Sequence, residues 1–160
     1  MADVSAKEFD GEICCRTWIN ASPNDVYDII TSGDGWDTFF TNGTTVDARA
    51  GGKITFRWKD WGPDSYTTEA GGPVLEAVRP TRFVFQWGSS SKEGLTTISF
   101  ALEQKHGGTV LTIRENGYYD TPKGRRMILE CASGWGEAMT LLKFYLEHGV
   151  VYTQPNREVE

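Results

Sequence analysis

Along residues 123–149, apolar side chains recur at Met127 and Ile128, Cys131, Trp135, Ala138 and Met139, Leu142, and Tyr145 and Leu146. Steps of three and four residues place them on one stripe of an α-helix. At about 1.5 Å per residue such a helix is roughly 40 Å long, enough to cross a small domain. No other part of the chain predicts a long helix. Gly134 and Gly136 bracket Trp135 at its middle, and each glycine costs a helix interior up to about 1 kcal/mol relative to alanine. The reading that answers this cost is close packing of the helix backbone against its partner, in preference to local flexing.

Upstream, the period falls to two. Residues 11–20 alternate, with Ile13, Cys15, Thr17 and Ile19 on one face and Glu12, Cys14, Arg16 and Trp18 on the charged, outward one. Ser22 as N-cap, Pro23 at the first helical position and Asp25 three residues after the cap start a short helix over 23–31. Trp36, Phe39 and Phe40 fall in a second helical stub. Strands follow at 44–50, 53–60 with Ile54, Phe56 and Trp58 inward, and 66–78 with a break near Gly71 to Pro73. The next strand turns Phe83, Phe85 and Trp87 inward, and residues 88–94 form a mobile hairpin loop. After it come Thr96, Ile98, Phe100 and Leu102, then Leu111 and Ile113, whose parity also turns Glu115 inward.

A sheet with one apolar side and a single substantial helix must lay that side on the helix. The predicted class is α+β: a curved antiparallel sheet of six to seven strands wrapped around a long C-terminal helix, with two short helices after the first strand. The 160 residues read as a single domain with its core over about 12–149 and a disordered tail over about 153–160.

Composition narrows the partners. The chain is 39% apolar and 24% charged with a net charge of −6, and no cluster of Lys and Arg interleaves with aromatics, so nucleic acid is not an expected partner. The first residues show no basic segment leading into an apolar run, and no stretch suffices for a membrane span. A cytoplasmic protein is expected. Three cysteines, an odd number, argue against a disulfide framework; Cys15 and Cys131 read as small buried hydrophobes. No metal-ligand spacing, phosphate loop or nucleophile elbow is present, so neither metal nor cofactor is expected. His106 in a glycine-rich turn and His148 at the helix C-terminus read as structural.

Two features carry candidate chemistry. Glu115, facing an apolar interior, would serve as an acid, a base or a hydrogen-bond acceptor for a ligand; the competing reading is a salt bridge with Arg49 or Arg57. It is the one speculative catalytic candidate, with Tyr118 or Tyr66 as partner. The second feature is the aromatic set, in which Phe56, Trp58, Phe83, Phe85, Trp87 and Phe100 of the sheet face Met127, Trp135 and Met139 of the helix. Such residues build either a solid core or the wall of a hollow, and a curved sheet meeting a helix at its ends favours the hollow. The ligand-binding set is then Trp36, Phe39, Phe40, Phe56, Trp58, Phe85, Trp87, Ile98, Phe100, Glu115, Met127, Cys131, Trp135 and Met139, with Gln86 and Thr112 as further polar groups. Access is expected near Trp36, Phe39, Phe40 and loop 89–93.

In chain order, Ile19, Ala21, Pro23, Val26 and Tyr27, then Trp36, Gly51 and Gly52 before Ile54, and Val74 to Glu76 with Pro80, Arg82 and Phe83 form a pattern. Thr97 to Glu103, Gly108 to Thr112 with Glu115 and Gly117, Gly134 with Trp135, and Tyr145 to Glu147 with Gly149 complete it. Together they resemble the START-like SRPBCC superfamily, the helix-grip proteins that include the birch-pollen-allergen type. The matching branch is AHSA, named for the activator of the heat-shock chaperone ATPase.

The resemblance implies the helix-grip fold and binding of a small hydrophobic or aromatic ligand, of lipid, sterol or polyketide class, between sheet and helix. It also leaves two alternatives: a cyclase- or hydrolase-type enzyme on such a ligand, and a chaperone-ATPase-activator-like interaction module. Binding without catalysis leads. The chaperone-activating members carry a further N-terminal domain for which this sequence has no room, and the outer face of the sheet reads as charged apart from Trp18, so a chaperone partner is not favoured.

Overall fold

In the computed structural model, which describes residues 11–88 and 94–153, β1 (Ile13–Ile19) leads into α1 (Pro23–Ile30) and α2 (Gly33–Asp37). Six strands follow: β2 (Thr45–Val46), β3 (Lys53–Trp61), β4 (Tyr66–Val78), β5 (Arg82–Trp87), β6 (Thr96–Lys105) and β7 (Gly108–Asn116). The long helix α3 (Pro122–His148) ends the fold. The expected loop 89–93 and most of the expected tail, 154–160, lie outside the described residues. All seven strands form one antiparallel sheet in the order β1-β7-β6-β5-β4-β3-β2, curved around α3 in the helix-grip arrangement.

Local chemistry explains where the elements begin and end. The Ser22 hydroxyl accepts from Asp25 N at 3.1 Å and caps α1. Thr121 does the same for α3 through Gly124 N at 2.9 Å, and Gly149 closes that helix in the left-handed conformation at φ 66°. The strand expected over 44–50 is only two residues long. Asp47 turns the chain, with Arg49 N bonding Asp47 O and the Arg49 guanidinium pairing with the Asp47 carboxylate at 2.9 Å.

The break expected in β4 does not occur. That strand runs uninterrupted between its two neighbours, pairing with β3 as far as Pro73 and with β5 from Val74, with a bridge from Gly71 to Gly88 and an irregularity between Val74 and Glu76. A Cβ on Gly71 would stand 2.5 Å from Ile54 O, and one on Gly72 would stand 2.3 Å from Gln86 O. These glycines therefore admit neighbouring backbones that any side chain would push away.

Inward residues of the sheet and the stripe Trp135, Ala138, Met139 and Leu142 of α3 form the core. The backbone of α3 comes closest to the sheet along β1. Over β3 to β5, large rings span the gap instead. Trp36 fills much of it from α2, 1% exposed, with its ring 5.1 Å from Phe56 and 6.1 Å from Phe100.

One expectation about α3 is overturned. A Cβ on Gly134 or on Gly136 would meet nothing within 4 Å, so neither glycine serves close packing. Gly134→Ala and Gly136→Ala should therefore each stabilise the protein, by up to about 1 kcal/mol. Urea unfolding of the two variants measures this, and a loss of stability in both would show a packing role after all.

Candidate functional site

Glu115, near the C-terminal end of β7, is fully buried, and hydrogen-bond donors converge on it from four elements of the chain. Its Oε1 accepts from Trp87 Nε1 of β5 at 3.0 Å, from the Thr96 hydroxyl of β6 at 2.7 Å and from the Tyr118 hydroxyl just after β7 at 2.6 Å. Its Oε2 accepts from Trp135 Nε1 of α3 at 2.6 Å. The expected salt bridge with Arg49 or Arg57 is not formed, because Arg49 is held by Asp47 and Arg57 by Glu69 at 3.3 Å. Indole N–H groups can only donate, so this site is built around a carboxylate as acceptor, with short charge-assisted bonds offsetting its burial.

Tyr118 shares the cluster. Burial above all, then the charge of Glu115 and the proximity of Cys131, push its phenol well above the ordinary tyrosine value, so it stays a protonated donor. Tyr118 also hydrogen-bonds Cys131 on α3. Burial raises the thiol of Cys15 on β1 as well.

Beside this cluster lies a hollow of about 320 Å³ between α3 and strands β3, β4 and β5. Its walls are Phe40, Trp58, Trp61, Ala70, Trp87, Met127, Cys131 and Trp135; Tyr66, Thr68, Glu130, Gly134 and Glu137 complete the lining. Tyr66, Glu130 and Glu137 are exposed and mark the mouth. The rings form corners: Trp87 stacks on Trp135 at 5.0 Å, Trp58 meets Trp87 at 63°, and Phe40 stands edge-on to both Trp58 and Trp61. The chain just after Phe40 is fixed by Asp37, whose carboxylate accepts from the Thr41 hydroxyl, Gly43 N and Thr44 N at 2.7 to 3.0 Å.

The residues expected to bind a ligand thus divide. Phe40, Trp58, Trp87, Met127, Cys131 and Trp135 line the hollow together. Trp36, Phe39, Phe56, Phe85, Ile98 and Phe100 do not, being at most 1% exposed and packed on one another. Met139 faces a separate groove beside β1, shared with Cys15, Arg16 and Lys143. Glu115 lies behind the indoles of Trp87 and Trp135 and is not part of the lining.

Gln86 and Thr112 bond Thr97 and Arg16 respectively, as strand alternation away from Trp87 and Ile113 requires, and neither reaches the hollow. Of the described residues of the expected access route, Phe40 borders the opening, while Trp36 and Phe39 are buried in the core; loop 89–93 lies outside the described residues. Trp61, Thr68, Ala70, Glu130, Gly134 and Glu137 were not anticipated in the lining, and Tyr66 was anticipated only as a catalytic partner of Glu115. Continuing the inward parity of β3 beyond Trp58 fails at Trp61 because the β3–β4 register shifts between these two residues. Tyr66, Thr68 and Ala70 share one parity of β4 and were legible from it.

Among the described residues, no group of three or more His, Cys, Asp or Glu side chains is placed to hold a metal. No helix among them is long and apolar enough to cross a membrane.

The sequence profile of the family described as Activator of Hsp90 ATPase homolog 1-like protein matches residues 20–147. The chain belongs to that family. Among solved structures, the Aha1 dimer from Colwellia psychrerythraea is similar at 25% identity and a TM-score of 0.71, over 87% of this chain and 98% of that one. CalU16 from Micromonospora echinospora shares 20% identity over 86% of this chain and 77% of its own, with a TM-score of 0.68. DynU16, a protein of the dynemicin biosynthetic locus, shares 16% identity and a TM-score of 0.74, over 88% of this chain and 49% of its own. At these lower identities the likeness bears on the fold alone. No curated protein sequence matches the chain significantly.

For this member of the homolog 1-like family, two outcomes follow from the Glu115 cluster. Glu115→Gln places an amide N–H₂ among donors and should cost about 2 to 3 kcal/mol of stability by urea unfolding; an unchanged midpoint would show that the cluster contributes little. Because the native phenol of Tyr118 holds its proton while the unfolded one releases it near pH 10, stability should fall as pH rises above about 10, by up to about 1.4 kcal/mol per pH unit. Tyr118→Phe should make that decline shallower in unfolding titrations between neutral and alkaline pH.

Proposed function

We propose that the protein binds a small apolar or aromatic molecule in the hollow between α3 and strands β3 to β5. The observation that carries this reading is an open space of about 320 Å³ lined by six aromatic residues, whereas the groove beside β1, larger at about 430 Å³, has one aromatic ring, Phe144, in its lining. Its size lies at the lower end of small-molecule sites, and its walls are mostly apolar with a few polar groups at the rim, as such sites require. The indole N–H groups of Trp87 and Trp135 are anchored on Glu115, so two walls are rigid before a ligand arrives and little ordering cost falls on binding.

Binding is favoured over turnover by the same geometry. Glu115, the expected catalytic carboxyl, lies outside the lining of the hollow and is bonded by Tyr118, one of its two expected partners, while the other, Tyr66, is exposed at the mouth. The polyketide class of ligand is one that the occurrence of DynU16 in a biosynthetic locus makes worth testing. Lipids and sterols remain the other classes to screen.

Titration with the uncharged fluorophore N-phenyl-naphthylamine tests the proposal. A saturable rise in its emission is expected, with energy transfer from tryptophan. Trp58→Ala, which removes a wall, should weaken binding about tenfold. Trp18→Ala, on the opposite face of β1, should leave it unchanged. Absence of saturable binding by neutral apolar probes, or equal binding by the Trp58 variant with its fold intact by circular dichroism, would refute the reading.

A further inference from the structure

We propose that the hollow selects by charge, and that its preferred occupant is an organic ammonium ion carrying an apolar or aromatic group. This rests on the ligand-binding reading above and names the chemistry that reading leaves open. Six aromatic residues line the space, four of them tryptophans. The face of an indole is the strongest of the aromatic faces for attracting a cation, and several faces meeting at corners form the cage that quaternary ammonium groups require. Trp58 and Trp87 are inclined at 63° and Phe40 and Trp61 at 80°, so the rings bounding the space are set steeply to one another and not stacked flat across it.

The anchoring of the walls works in the same direction. Trp87 and Trp135 both donate their N–H to the Glu115 carboxylate, at 3.0 and 2.6 Å. The positive edge of each indole is thereby used behind the wall, and donation to an anion pushes electron density onto the ring. With their N–H groups engaged on Glu115, these two residues contribute apolar ring atoms to the lining and no free hydrogen-bond donor.

Charge at the mouth completes the argument. Among the described residues, the charged side chains of the lining are Glu130 and Glu137, both exposed on α3, and no Lys or Arg joins them. Neither glutamate forms a salt bridge with a described residue. Separated by seven residues, they stand two helical turns apart on one side of α3. A carboxylate or phosphate entering here would pass two like charges; an ammonium ion would be drawn in by both and then find ring faces. A fatty acid is thus disfavoured although its chain would fit the walls.

The experiment uses the benzyltrimethylammonium ion, its uncharged carbon isostere neopentylbenzene, and the shape-matched anion phenylmethanesulfonate. Each is titrated into the 160-residue protein, with indole N–H signals followed by NMR. The cation should bind about tenfold more tightly than the isostere, and phenylmethanesulfonate should bind more weakly than either. Glu130→Gln combined with Glu137→Gln should reduce the cation's advantage and leave the isostere's affinity unchanged. Added salt should likewise weaken the cation alone. If the isostere or phenylmethanesulfonate binds as well as the cation, the charge selection is wrong while ligand binding stands. If no member of the series nor any neutral apolar probe perturbs Trp58, Trp87 or Trp135, both fall together.

Discussion

A buried carboxylate in a protein interior must be surrounded by donors or the fold cannot tolerate it. Glu115 meets that condition with groups from the end of β5, the start of β6, the segment after β7 and the middle of α3. No one of these elements can shift without withdrawing a donor from the buried charge. The cluster therefore does more than hold one residue: it sets the distance between the sheet and α3 at Trp135. Along β1 the same helix approaches by direct backbone proximity. With the helix fixed at these places, the remaining separation over β3 to β5 has to be spanned by side chains.

How that separation is spanned decides where the protein is solid and where it is hollow. On one side, α2 inserts Trp36, whose indole also donates to Ile30 O at 2.8 Å, and the rings of Phe39, Phe56 and Phe100 close around it. Beyond Phe40 no comparable side chain of the described residues enters. The space there is bounded by Trp58 and Trp61 from the sheet and by the α3 turn carrying Cys131 and Gly134. Gly134, without a side chain, leaves the opening wider at no steric benefit to the helix itself. The local weakness in helix propensity is consistent with a wall kept low beside a cavity.

Much of this was legible in the chain. The period-2 pattern of β3, β5, β6 and β7, the Ser22 and Pro23 start of α1 and the extent of α3 all follow from local side-chain spacing, and the inward parity of Glu115 was readable in the same way. The family pattern, spread over most of the chain, agreed with the helix-grip fold. Less legible were places where hydrogen bonding across the sheet overrides local preference. Asp47 and Arg49 stop β2 after two residues, the glycines of β4 admit neighbouring backbones where they look like a break, and the register shift after Trp58 brings Trp61 to the hollow.

By itself, the sequence determined which residues face inward, because the faces of a strand or helix repeat with a fixed period set by backbone geometry. It also placed one acidic group, Glu115, on the inward parity, but left open whether that group faced the interior or paired with an arginine. Only the tertiary structure decided what that group touches and which inward rings line space instead of filling it. Trp87, Trp135 and Tyr118 are 28, 20 and 3 residues from Glu115, and their convergence depends on strand register and on where α3 crosses. Whether an aromatic side chain belongs to a core or to a cavity wall is a property of the volume opposite it, and that volume is fixed by elements distant in the chain.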